Sequence, residues 1–96
     1  MQVLAIVRRR TESFSEEAFA PVLEPEAQAI RTLYAQGIVR SVWSRDDVPG
    51  ACLLLEAESL DRAREIVASF PLVERGMAEV EALIPLRGYR GFGPRT

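Results

Sequence analysis

GIVRSVWSRDDVPGACLLLE, residues Gly37 to Glu56, is two apolar runs separated by dense turn chemistry. Gly37 to Ser44 reads as one strand and Ala51 to Glu56 as another. Asp46-Asp-Val-Pro-Gly50 between them makes the pair a hairpin. Outward on the N-terminal side, Gly37 ends a helical stretch as its C-cap. Phe19, Leu23, Ile30 and Leu33 give that stretch one apolar stripe. Ser13-Phe-Ser-Glu16 matches a capping box, and Glu16 and Glu17 suit the positive end of a helix starting there. Pro21 is tolerated near the first turn, whereas Pro25 predicts a kink or a break. Before the helix, Val3 to Val7 is a β-branched apolar run, read as a strand ending at Arg8-Arg9-Arg10.

On the C-terminal side, Ser59 caps a second helix with Leu60, Ala63, Val67 and Phe70 on its apolar face, and Pro71 stops it. Met77 to Leu86 alternates Val80, Ala82 and Ile84 against Met77, Glu79, Glu81 and Leu83, a fourth strand. The order β-α-β-β-α-β predicts a ferredoxin-like α+β fold: a four-stranded antiparallel sheet with two helices on one face. Residues 1–86 form the single domain, and 87–96 (RGYRGFGPRT) form a C-terminal arm. The sheet's other face carries apolar residues too. A chain of 96 residues cannot cover that face itself. A homodimer, or a larger homo-oligomer, is therefore expected, with two sheets facing each other as a dimeric α+β barrel.

Composition narrows the chemistry. All twelve basic residues are Arg, and there is no His, no Lys and one Cys, Cys52. That excludes Ser-His-Asp and Cys-His sites, a Lys Schiff base, a His-ligated metal and an internal disulfide framework within one chain. Acid–base work falls to carboxylates, Tyr34, Tyr89, Cys52, a terminus or a water. Fourteen acidic residues leave a net charge of −2 and no basic field for nucleic acid. Arg8-Arg9-Arg10 is read as a solvated turn, and Arg87-Gly-Tyr-Arg-Gly-Phe92 as an arm rather than an RNA-binding patch. No stretch approaches the ~18–20 apolar residues of a membrane span. MQVLAIVRRR lacks the charge–apolar–small order of a secretion signal, so a cytoplasmic location is expected.

Glu26 falls on the stripe Phe19-Leu23-Glu26-Ile30-Leu33, where a carboxylate is expensive unless paired or functional. Burial would raise its pKa toward neutrality, which suits proton transfer at carbon. The alternative places Glu26 at the stripe's edge, with Ala27 at its centre. Arg40, mid-strand, needs a partner: a carboxylate such as Glu26, or a substrate carboxylate held bidentately. On a regular strand Trp43 has the opposite parity to Arg40, which favours core or dimer packing over a pocket wall. Glu79 and Glu81 share a face of the last strand, either an acidic pair inside the barrel or a charged edge. Tyr34 could donate to a ligand or simply pack. Cys52 reads as a small buried hydrophobe.

The run Leu33-Tyr-Ala-Gln-Gly-Ile-Val-Arg-Ser-Val-Trp43 resembles the muconolactone isomerase group of dimeric α+β-barrel proteins. So do Glu26 eleven residues before Gly37, Phe70-Pro-Leu72, and the Met77–Leu83 strand. The resemblance implies a cofactor-free isomerase that shifts a double bond in a small lactone or cyclic carboxylate by moving a proton. Glu26 would be the proton-shuttling base and Arg40 the anion anchor, with Tyr34, Trp43 and Glu79 around the substrate. Two positions depart from the group: Ser41 stands where its best-known members carry His, and Asp46 and Asp47 replace a neutral loop. The same scaffold carries cofactor-independent oxygenases, cyclases and non-catalytic barrels, which remain the alternative readings.

Overall fold

Alternation along the first strand, β1 (Gln2–Arg9), divides the molecule into two sides: Val3, Ala5 and Val7 are buried, while Leu4 and Ile6 are only partly covered. The computed structural model describes residues 1–93. After β1 come α1 (Glu16–Ala35), β2 (Val39–Ser44), β3 (Gly50–Glu56), α2 (Leu60–Ala68), a single turn α3 (Pro71–Glu74) and β4 (Ala78–Leu86). The strands form one antiparallel sheet in the order β2-β3-β1-β4, the ferredoxin-like arrangement. The helices lie on the side of Val3, Ala5 and Val7. There Val39, Leu53 and Leu55 from the sheet meet Phe19 and Val22 of α1, and Ala63, Ile66 and Val67 of α2.

Several local expectations are corrected. The N-cap of α1 is Ser15, whose hydroxyl accepts the N–H of Ala18 at 3.2 Å, and not Ser13. Pro25 does not break α1, which runs continuously over 20 residues with both prolines inside. Pro21 and Pro25 lie four apart on the exposed face, and the carbonyls they leave unbonded, Glu17 and Pro21, belong to exposed residues that water can reach. Pro71 stops α2 and also starts α3 as its first residue, a position where its missing N–H loses nothing. Gly37 (φ 78°) closes α1 in a Schellman motif, with Ile38 N–H on Leu33 O and Gly37 N–H on Tyr34 O.

Two bulges reset the side-chain alternation. On β2, Val39 opposes Leu55 and Ser41 opposes Leu54, which makes Arg40 the extra residue. The parity that would set Arg40 and Trp43 on opposite sides therefore does not hold. On β4, Val80 opposes Val7 and Ala82 opposes Ile6, leaving Glu81 as the extra residue. Val80 and Ala82 consequently face opposite sides, contrary to a regular alternation. Arg45, just after β2, donates to both carboxylate oxygens of Asp47 (3.0 and 2.7 Å) and also binds Glu81. A side chain at Gly50 would meet the Val7 carbonyl oxygen at 2.2 Å, so glycine is required where Arg45 crosses the strand ends. Asp47 thus holds the Arg45 guanidinium at the mouth of the hairpin.

Residues 87–93 follow β4 outside any strand or helix, with Tyr89 and Phe92 exposed. The remainder of the expected arm, residues 94–96, lies outside the described residues. No described helix is long and apolar enough to cross a membrane.

Candidate functional site

Between α1 and the sheet lies a cleft of about 220 Å³. Leu23, Glu26, Ala27 and Ile30 line it from α1, Val7 and Arg9 from β1, and Val42, Trp43 and Ser44 from β2. Ala51 and Leu53 of β3, with Phe70 and Leu72, complete a mostly apolar wall. Glu26 is there because spacings of three, four and seven return it to the helix's inner side. Its Oε1 accepts the N–H of Leu72 at 2.9 Å. Phe70, the N-cap of α3, has no acceptor in its side chain, so Glu26 satisfies an N–H that α3 cannot cap for itself. Oε2 accepts no hydrogen bond among the described residues and is not sealed from solvent.

Half-burial of Glu26 pushes its pKa above the usual carboxylate range. The Leu72 N–H and the positive charge of Arg9 pull in the opposite direction and only partly offset this. Such a carboxyl is a stronger base than an exposed one and gives its proton back closer to neutrality. Arg9 sits over the ring of Phe19, with 5.9 Å from guanidinium carbon to ring centroid. Phe14 packs edge-on against the same ring at 6.0 Å. Arg9 was legible in the sequence: counting by twos from Val3, Ala5 and Val7 reaches it on the covered side. Reading the three arginines as one solvated turn concealed it.

Of the other residues singled out from sequence, Trp43 borders this cleft, whereas Arg40, Tyr34, Glu79 and Cys52 do not line it. Arg40 is exposed at the β2 bulge and makes no hydrogen bond or ion pair with Glu26. Tyr34 is 63% exposed near the end of α1. Glu79 pairs with Arg8 at 2.8 Å, on the far side of the sheet. Trp43 borders the cleft but is 53% exposed, so it is not core in this chain. Cys52 is only partly covered. A second, shallower hollow of about 450 Å³ involves Met1, Ile38, Glu56, Arg62 and Ile66. The Met1 amine pairs there with Glu56 at 3.3 Å. Among the described residues, no three His, Cys, Asp or Glu side chains converge as metal ligands.

No protein-family profile matches the chain, and no curated protein does. It is similar to a solved structure of 5-chloro-2-hydroxyhydroquinone dehydrochlorinase (TftG) from Burkholderia phenoliruptrix AC1100 in complex with 2,5-dihydroxybenzoquinone. The match covers 95% of this chain and 96% of that one, with a TM-score of 0.67 and 22% sequence identity. A likeness at that identity establishes the shared fold.

Proposed function

We propose that this chain is a cofactor-independent enzyme of muconolactone-isomerase type, moving a proton to and from carbon on a small lactone or cyclic carboxylate. The observation that carries this reading is Glu26: a half-buried carboxyl of raised pKa with one free oxygen, in an apolar cleft sized for a small ring. In the step envisaged, the Glu26 carboxylate removes a proton from the carbon at the far end of a C=C conjugated to the lactone carbonyl. The electron pair moves through that double bond onto the carbonyl oxygen as a dienolate, and the protonated Glu26 returns the proton to the carbon next to the carbonyl. The double bond shifts and nothing is oxidised. The fold neighbour's dehydrochlorinase name and its six-membered ring ligand agree with small-ring chemistry on this scaffold.

Catalysis would be measured as isomerisation of muconolactone in deuterated water, comparing wild type with Glu26→Gln. Gln keeps an oxygen for the Leu72 N–H but cannot take up a proton. A loss of about a hundredfold or more is expected. Equal rates in the two proteins would remove Glu26 from the mechanism. A second reading, a non-catalytic barrel, is favoured by the Leu72 contact alone, with Glu26 serving only as a cap for α3. In that case Glu26→Gln changes nothing and Glu26→Ala only destabilises.

The same reading includes a homodimer joined through the sheets. Leu4, Ile6, Cys52, Leu54 and Ala82 are only partly covered, and Ile84 and Trp43 are exposed, all on the side without helices. Sedimentation at micromolar concentration should give a dimer or larger species that Leu54→Asp reduces to monomer. A wild-type monomer would refute it.

A further inference from the structure

We infer that Arg9 is the anion-binding group of the cleft, and that the ligand is a small ring bearing a carboxylate or an enolate oxygen. This deepens the proposed function and rests on the same cleft. The three consecutive arginines have different fates. Arg8 is occupied by Glu12 and Glu79, and Arg10 donates to the Gly76 carbonyl at 3.0 Å. The Arg9 guanidinium makes no hydrogen bond or ion pair among the described residues, although it lines a mostly apolar cleft. A partly buried charge with no partner is costly unless a ligand supplies one. Its guanidinium carbon lies over the Phe19 ring, 5.9 Å from the centroid. A ring contact takes up none of the guanidinium N–H donors, which stay available for a bidentate acceptor.

Glu26 is the obvious partner for Arg9, and the two do not pair. Glu26 feels the charge of Arg9, but its Oε1 is held by Leu72 N–H. The cleft therefore keeps a cation and a carboxyl apart within one apolar space. A ring whose carboxylate sits on Arg9 would present a neighbouring C–H to the free Oε2 of Glu26. The developing enolate charge would lie between them, where Arg9 also stabilises it. Arg40, at the exposed bulge, has no such relation to Glu26.

The test uses the full chain with benzoate and with benzamide, a neutral ring of the same shape. Wild type should bind benzoate the more tightly in calorimetry. Arg9→Gln should weaken benzoate about ten- to a hundredfold and leave benzamide nearly unchanged, so that the preference disappears. Arg9→Lys keeps the charge without the fork and should fall between. Glu26→Gln should retain benzoate, so a failed isomerase reading would leave this result standing. A perturbed arginine Nε–H resonance, assigned with Arg9→Lys and moved by benzoate but not benzamide, reads the contact in the unaltered chain should Arg9→Gln fail to fold. The inference is overturned if wild type does not bind benzoate at millimolar concentration. It is also overturned if Arg9→Gln keeps the preference, or if Arg40→Gln abolishes it instead.

Discussion

Arg8 and Arg9 are adjacent in sequence and occupy opposite sides of one sheet. On the uncovered side Arg8 is tied to Glu12 and Glu79, and its hydrogen bonds to Glu12 hold that carboxyl down to about 2. On the covered side Arg9 has a ring beneath it and no carboxylate paired to it among the described residues, while Glu26 shares its cleft with a raised pKa. The strand's two-residue period makes this separation, since neighbouring side chains leave the backbone in opposite directions. Charges meeting water neutralise one another. Charges held between helix and sheet are kept apart, which is the arrangement proton chemistry on an anion needs.

The contrast between the two sides can be broken first through packing. Leu53 on the covered side is 1% exposed, whereas its neighbour Leu54 is only partly covered. Leu53→Ala should destabilise by about 2–5 kcal/mol in denaturant titrations. Leu54→Ala should cost clearly less under conditions where the chain is monomeric. Equal losses there would mean the two sides do not differ as described. A Leu54 penalty that grows with protein concentration would sharpen the contrast, because it places a second copy on the uncovered face.

A smaller effect separates the two roles of Glu26. Glu26→Ala leaves the Leu72 N–H without its acceptor and should cost about 1–3 kcal/mol, while Glu26→Gln retains the bond. If both variants are equally stable, that hydrogen bond contributes nothing. The pH dependence gives a finer test. Because Glu26 has a higher pKa folded than unfolded, the folded chain binds its proton more readily. Stability is then greatest when Glu26 is protonated, and falls as pH rises from the ordinary carboxylate range through the raised pKa. Glu26→Gln should flatten that fall, and a fall unchanged in the variant would assign it to another group.

The smallest effect belongs to the exposed pairs. Arg8→Gln frees Glu12 and Glu79 into water and should scarcely move the unfolding midpoint at neutral pH. Glu12, with its lowered pKa, contributes stability that is present above the usual carboxylate range and lost as pH falls toward 2. Arg8→Gln should therefore flatten that acid-side fall, by a slight loss at neutral pH with no change near pH 2. A large destabilisation at neutral pH would show that the uncovered side carries more of the fold than its exposure implies.

Much of this was readable in advance. The hairpin at Gly37–Glu56, the Ser59 cap and Glu26 on the inner stripe follow from rules acting over a few residues, and the structure has each of them. Arg9 was readable too, given the parity of Val3, Ala5 and Val7. The bulges at Arg40 and Glu81 were not, because a bulge is a mismatch in length between two paired strands and neither strand records it alone. Nor was the bond from Leu72 N–H to Glu26, which joins residues 46 apart.

The sequence by itself determined the order of the four strands and two main helices, the buried faces of β1, α1 and α2, and the restriction of acid–base chemistry to a handful of carboxyl, phenol and thiol groups. Periodicity and composition are properties of the chain, and burial of apolar surface acts on them directly. Only the tertiary structure decided which charges stand together: Arg9 with Glu26 in the cleft, Arg8 with Glu79 outside it, and Arg40 apart from both. Pairing of side chains distant in sequence depends on strand register and on how helices seat against the sheet, to within an ångström or two. No local pattern carries that information.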